Sequence, residues 1–335
     1  MRFLKIIFFI IVLFVLAFIT LLFINFRAPQ KNGERERFVV QQKTVSEKDI
    51  IDDLKKQGYL KSEMIFNLIF DLKGWHGRIT PGGYLISKNM NAYQLAQTLS
   101  LGPSQKWVLV PPGKRKEQTA LILQKTLDWS DDKTLEFVKL AEEGYLFPDT
   151  YLISKDIGSE VVVQMFKTNF DRYFDDKIQK DLLSENIKYT TALKIASIIE
   201  RESGGDEDKP IIAGIIWNRL LKGMRLEIDA TVQYAWANNL CELSSQNPLL
   251  KNCNFWPIIP SGTVRTIESP FNTYLDEGLP PSPIDSPSLA SIKAAVYPQE
   301  TEDLYYLHSA DKKIHTAKTY KEHRENINMY LIGNN

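Results

Sequence analysis

The chain opens on an apolar block. Across residues 6–26 no side chain is charged and nearly all are apolar, close to the ~20 residues that cross a hydrocarbon core. Arg2 and Lys5 precede the block, and Arg27 and Lys31 follow it. A cleaved leader would have a shorter apolar stretch and a small-x-small site after it. Here Leu21, Leu22, Phe23, Ile24 and Phe26 run on with bulky groups. The pattern predicts an uncleaved single span through the bilayer at 6–26, with the short tail inside and the body outside. Residues 28–37 are polar and read as a linker.

Shorter periods follow. Residues 38–40 read as a strand. Residues 46–57 read as a helix, with Ser46 and Asp49 in a capping-box pattern and Ile50, Ile51 and Leu54 on one face. Further helices are expected at 62–73, stopped by Gly74, and at 91–101, capped by Asn91. A turn at 80–83 leads into a strand at 84–86. The order strand–helix–helix–strand–helix predicts a small α+β module over 38–105. It carries no catalytic cluster, so binding or spacing is its expected role, and His76 reads as structural.

The larger region, 106–335, alternates similarly. A strand is expected at 107–110 and helices near 119–127, 131–142 and 160–174. Between them, 144–151 is an aromatic, proline-broken loop whose rings either stack on sugars or fill the core. The run 191–205, TALKIASIIERESGG, is an apolar stretch that ends in two carboxylates. On a helix, Ile195, Ile198, Ile199 and Glu202 share one face at i, i+3, i+4 and i+7. Glu200 falls on the neighbouring face, and Ser203-Gly204-Gly205 is a helix stop. A carboxylate ending a buried stripe holds its proton more tightly, through desolvation and the negative helix end. That is what a general acid needs. The alternative is a solvated last-turn residue, or an ion pair with Arg201 or Arg219.

Helices are expected next at 210–221, 288–296 and 320–331, with a strand at 304–308. The runs 229–234 and 269–274 have alternating polar side chains suited to lining a groove. The proline-rich loop 278–283 is stiff, and His315-Thr316 falls in a closing loop. The fold class is therefore α+β behind a single N-terminal transmembrane helix. The segments are a tail and span at 1–27, a linker at 28–37, the module at 38–105 and a larger domain at 106–335.

Composition removes several classes. A net charge of +0 over 335 residues offers no basic field for nucleic acid. Two cysteines and four dispersed histidines suggest no metal site, and no cofactor is expected. The chain has no phosphate-binding loop, Ser-x-x-Lys motif or nucleophile elbow, which disfavours ATPase, penicillin-binding and esterase chemistry.

An ordered set of motifs carries a resemblance. It runs Ala196-Ser197-Ile198-Ile199-Glu200-Arg201-Glu202-Ser203, then Asn218-Arg219-Leu220, then Met224-Arg225-Leu226 with Asp229, Thr231 and Tyr234. Phe271-Asn272-Thr273-Tyr274 follows with Gly278-Leu279-Pro280-Pro281, and then His315-Thr316 with His323. The set resembles the membrane-anchored endolytic murein transglycosylases, the YceG-like family, whose small module is compared to LysM. The resemblance implies a lyase that cuts the MurNAc–GlcNAc bond of peptidoglycan with one carboxylate, which falls on Glu202. It implies that Glu202 protonates the linking oxygen and then takes the proton of the C6 hydroxyl as that hydroxyl closes on C1, leaving a 1,6-anhydroMurNAc end. Intramolecular attack supplies a high effective molarity, so no water need be held.

Supporting candidates are Glu200, Ser203, Asn218, Arg225, Asp229, Thr231, Gln233, Tyr234, Asn272, Tyr274 and His315. Glycan strands and, through 6–26, the lipid bilayer are the expected partners, with peptidoglycan synthases as candidates. The expected location is the plasma membrane with the catalytic domain extracytoplasmic. There the enzyme would terminate glycan elongation. Ala230 and Ile228 depart from the usual pattern, and 239–268 is longer than expected. Outside the cytoplasm, Cys241 and Cys253 are candidates for a disulfide closing that segment. The alternatives are a muramidase in which Asp229 or Glu200 serves water, and a tethered, non-catalytic peptidoglycan-binding scaffold.

Overall fold

The computed structural model describes residues 2–41, 46–243, 250–260 and 262–332, with backbone only for 2–4. The parts of the long 239–268 segment at 244–249 and 261 lie outside the described residues. The chain forms two compact units: Met1–Val108 with Leu152–Asp156, and Leu109–Tyr151 with Ile157–Asn335.

The first unit begins with α1 (Arg2–Phe26), whose apolar side chains are exposed almost throughout. Then come β1 (Glu36–Val40), α2 (Glu47–Lys56), α3 (Glu63–Lys73), β2 (Gly82–Ile86) and α4 (Ala92–Ser100). Strands β3 (Gln105–Leu109) and β4 (Thr150–Ser154) complete a sheet of order β1-β2-β3-β4. β1 and β2 are antiparallel, with Glu36 opposite Ile86 and Val40 opposite Gly82. The capping box of α2 forms as its sequence predicts, Ser46 accepting from the Asp49 N–H and Asp49 accepting from the Ser46 N–H. Gly74 ends α3 in the left-handed conformation. Gly82 must be glycine for two reasons: its φ is 150°, and a Cβ there would meet the Gln105 carbonyl at 2.5 Å. Phe38, Leu54, Phe66, Phe70, Tyr84, Leu95 and Leu99 form the core, against which Leu22 and Phe26 of α1 also pack.

The second unit continues with α5 (Lys116–Leu127), α6 (Asp131–Leu140), α7 (Ser159–Tyr173), α8 (Asp176–Ser184) and α9 (Tyr189–Glu202). It ends with α10 (Lys209–Leu221), α11 (Asp229–Leu240), α12 (Leu289–Val296), β5 (Tyr305–His308), β6 (Ile314–Ala317) and α13 (Tyr320–Ile327). β5 and β6 are an antiparallel pair. The core is built around α9, whose Leu193, Ile195, Ala196, Ile198 and Ile199 are wholly buried. Helices α10, α11 and α12 pack on it. Gly214 in α10 lets the Gln299 carbonyl lie against the helix, where a Cβ would collide. Gln299 in turn donates its N–H to the Pro210 carbonyl at 2.9 Å.

Three readings of the sequence change here. The run 229–234, given no secondary structure from its pattern, is the first half of helix α11. His315 lies in β6 rather than in a closing loop. Helix α8 had no counterpart in the sequence reading, although Asp175 caps it and Ile178 and Leu182 bury one face. The rings of 144–151 serve mainly as core: Phe147 and Tyr151 are buried, as is Leu146 between them and Tyr145, and Phe147 stacks on Tyr173 at 4.4 Å.

Candidate active site

Helix α9 ends on two glutamates about 200° apart around its axis, so they leave on opposite sides. Their surroundings differ sharply. Glu200 turns toward α12, where its Oε2 accepts from the Ser288 N–H (3.0 Å), the Ser288 hydroxyl (2.6 Å) and the Ser291 hydroxyl (2.6 Å). Lys209 Nζ stands 3.4 Å away. Ser288 is the N-cap of α12, so Glu200 is a buried anion at a positive helix end. Burial pushes its pKa up, but the hydrogen bonds from Ser288 and Ser291 and the Lys209 charge outweigh it, and the carboxyl is held below its ordinary value.

Glu202 turns the other way and is half-buried. Its Oε2 accepts from the Tyr306 hydroxyl of β5 at 2.8 Å. The backbone N–H of Ala230, in the first turn of α11, also donates to it. Burial is the largest influence and raises the pKa. Asp229 raises it further, while Tyr306, the Ala230 N–H and His308 pull it down, and the net direction is up. Arg201 and Arg219 are engaged elsewhere. Arg201 lies over the Trp256 ring at 4.0 Å, and Arg219 donates to the carbonyls of Leu304, Arg225 and Leu226. The environment thus drives the two carboxyls apart, Glu202 upward and Glu200 downward.

Residues 38–329 match the YceG-like family. The chain belongs to that family. A protein of Bacillus subtilis (strain 168) named endolytic murein transglycosylase is 28% identical over 311 residues, spanning 84% of this chain and 81% of that protein. One of the same name from Streptococcus pneumoniae D39 is 26% identical over 314 residues, 82% of this chain and 54% of the pneumococcal protein. In structure, the chain is similar to a YceG-like protein of Listeria monocytogenes solved at 2.6 Å, with a TM-score of 0.55 and 25% identity over 87% of this chain and 99% of that one.

In this YceG-like protein, the structure gathers Glu202, Asp229 and Tyr274 at one place. The Tyr274 hydroxyl donates to Asp229 Oδ1 at 2.8 Å, and the charges of Asp229 and Glu202 act on each other. The sequence reading missed Tyr306, His308 and Asp208. His308 Nε2 meets Asp208 Oδ2 at 3.0 Å, and the same oxygen accepts the Gly204 N–H at 3.2 Å, holding the chain just past α9. Tyr306 and His308 are separated by one residue on β5, so both point to the α9 side.

Other candidates spend their polar atoms on the protein itself. Thr231 is buried, donates to the Ile228 carbonyl at 2.7 Å and meets the Thr273 hydroxyl at 2.9 Å. Asn272, also buried, donates to the carbonyls of Val264 and Ile267. Asn218 donates to the carbonyls of Thr301 and Asp303, fixing the approach to β5. Ser203 is the C-cap of α9. Tyr234 is buried under the Arg115 guanidinium, 3.8 Å from its ring centre. His315 stacks on Tyr330 at 3.6 Å and meets the Ser309 hydroxyl. Arg225 is exposed, and Gln233 is half-buried on α11. A disulfide joins Cys241 to Cys253.

Behind α9 lies a buried polar group of Arg115, Glu117, Glu143 and Asp285. Burial, then the Glu117 charge, lifts Glu143 to about 8. Asp285 lies wholly inside with no hydrogen-bond partner among the described residues on either oxygen. Burial, then Glu200 and Glu143, drive its pKa well up.

Proposed function

We propose that this protein is a membrane-tethered endolytic murein transglycosylase, with Glu202 as its acid and base. The observation that carries the reading is the environment of Glu202. It is a half-buried carboxyl at the end of the core helix, its pKa raised by burial and its orientation set by Tyr306 and the Ala230 N–H. The names of the relatives supply the substrate class.

In the proposed reaction, protonated Glu202 gives its proton to the oxygen between MurNAc C1 and GlcNAc C4, the C1–O bond breaks, and the oxygen leaves as the GlcNAc C4 hydroxyl. The carboxylate, steadied by Tyr306, takes the proton of the MurNAc C6 hydroxyl while O6 bonds to C1. The products are a 1,6-anhydroMurNAc end and a GlcNAc end, and Glu202 is reprotonated. Tyr306 is a positioning residue. Asp229, held by Tyr274, lies where it would orient a sugar. Helix α1 anchors the protein in the plasma membrane with the catalytic unit outside; the first unit acts as a LysM-like spacer. Clipping nascent strands near the bilayer would end their elongation, with peptidoglycan synthases as neighbours.

A hydrolase with Asp229 as the second carboxylate is the other reading, favoured by the nearness of its charge to Glu202. Mass spectrometry of glycan strands treated with the full chain or with Glu202→Gln decides. Anhydro ends made by the wild type alone support the proposal; reducing MurNAc ends favour the hydrolase. Equal cutting by the variant removes Glu202 from the mechanism.

A further inference from the structure

The exposed face of α3 does not fit a helix in water. Met64, Leu68 and Leu72 are 61%, 46% and 75% exposed, and their i, i+4, i+8 spacing puts them in one stripe. The opposite face, Ile65, Phe66, Ile69 and Phe70, is already buried in the core of the first unit. A helix apolar on both sides has a partner on both sides. The neighbouring element identifies it. Helix α1 packs against α3 and α4, and its Leu22 and Phe26 lie on the same core that Phe66 and Phe70 help to form.

The apolar stretch Lys5–Phe26 has 22 residues, about 33 Å of helix, against a hydrocarbon core of about 30 Å. Leu22 and Phe26 therefore stand where a spanning α1 leaves the hydrocarbon. Whatever touches them sits at headgroup depth. We propose that the Met64–Leu68–Leu72 face of α3 docks on the bilayer surface beside α1, seating the first unit on the lipid rather than letting it swing free. The charges of α3 suit this place. Glu63 pairs with Lys55 at 2.6 Å, Asp71 meets His76 at 2.8 Å, and Lys73 lies over the Tyr93 ring. Each acid thus has a polar partner next to the headgroups, a lysine for Glu63 and an imidazole for Asp71. A long basic stem such as that of Lys61 reaches outward at such a boundary.

The inference rests on α1 spanning the membrane, and the test separates the two. The full chain is reconstituted in phosphatidylcholine–phosphatidylglycerol vesicles. Spin labels are placed in turn at Leu68→Cys, at Asp53→Cys on the exposed side of α2, and at Leu16→Cys in α1. The native cysteines are paired with each other, and all three sites are exposed, so the labels leave the core intact. Accessibility to oxygen is compared with accessibility to a water-soluble nickel chelate. A lipid-like ratio at Leu68→Cys, severalfold above that at Asp53→Cys, supports docking. An aqueous ratio at Leu68→Cys with a lipid-like ratio at Leu16→Cys overturns docking alone. An aqueous ratio at Leu16→Cys overturns the span and the docking together. A Leu68→Cys label that is immobilised but reached by neither reagent, with spin–spin broadening that grows with protein density, assigns the face to a second copy and also overturns the proposal.

Discussion

Glu200→Gln is expected to destabilise the second unit, whereas Glu202→Gln is not. The Glu200 side chain is only 10% exposed and faces Lys209, itself 6% exposed. Removing one partner of a buried pair costs about 3–5 kcal/mol. Two features reduce that here. The glutamine carbonyl still accepts from some of the three Ser288 and Ser291 donors, and Asp206 remains 2.7 Å from Lys209. A loss of about 2–3 kcal/mol is left, which at ~2–4 °C per kcal/mol for a unit of this size lowers Tm by about 5–10 °C. The pH dependence adds a signature. Glu200 is held below its ordinary value of 4.5 in the folded state, so its contribution is complete above that value and is lost as pH falls through the depressed one. The gap between wild type and Glu200→Gln should therefore close in acid. Glu202 is raised, so the folded state loses stability as pH rises through its pKa, and Glu202→Gln should match or exceed the wild-type Tm at pH 8. Melts of the full chain in detergent, followed by tryptophan fluorescence from pH 3 to 8, provide the test. An unchanged Tm for Glu200→Gln at pH 7, or a gap that persists undiminished into acid, would refute the reasoning.

Tyr306→Phe removes a hydrogen bond that lowers the Glu202 pKa, so the alkaline limb of the activity profile should move to higher pH. Turnover should fall by roughly tenfold with little change in KM, about 1.4 kcal/mol in the transition state; pH-dependent kinetics on glycan strands check both. Gly214→Ala forces a methyl against the Gln299 carbonyl and should cost about 1–3 kcal/mol in denaturant melts. Asp285→Asn removes a buried acid whose pKa is raised, so its stabilising effect relative to wild type should appear as pH rises above the ordinary value of 3.8 and be absent below it, as melts across pH would show. Replacing Cys241 and Cys253 by serine opens a closure of 12 residues, which lowers stability by up to about 3 kcal/mol. Glycan cleavage by that variant should persist at temperatures below its melt.

The helices around the site were legible where one face is apolar and the ends are marked. The stripe of Ile195, Ile198, Ile199 and Glu202 needs only the period of the helix, and Ser46–Asp49 and Asn91 carry their own cap signals. The fates of the two glutamates were not equally legible. The donors to Glu200 lie 88 and 91 residues away, and Tyr306 lies 104 residues from Glu202, distances that local pattern cannot bridge. Thr231 and Asn272 show the converse difficulty. A polar side chain reads the same in sequence whether it meets a substrate or a buried carbonyl. Helix α11 carries no start signal in the sequence because Ile228 at its N-cap offers no side-chain oxygen and Asp-Ala-Thr-Val-Gln-Tyr happens to alternate.

The opposed placement of Glu200 and Glu202 constrains how the gene can vary. Each added residue turns a helix by about 100°, so one insertion between Leu193 and Glu200 would swing both acids out of place at once. Glu200 would leave the end of α12, and Glu202 would leave Tyr306 and α11. Length in α9 is therefore fixed far more tightly than identity at its exposed positions. The exposed turn after Gly205 is under no such angular control, since lengthening an exposed loop costs only a few tenths of a kcal/mol for a modest insertion. Length changes among natural variants, and any fused domain or tag, should accumulate there and be absent from α9.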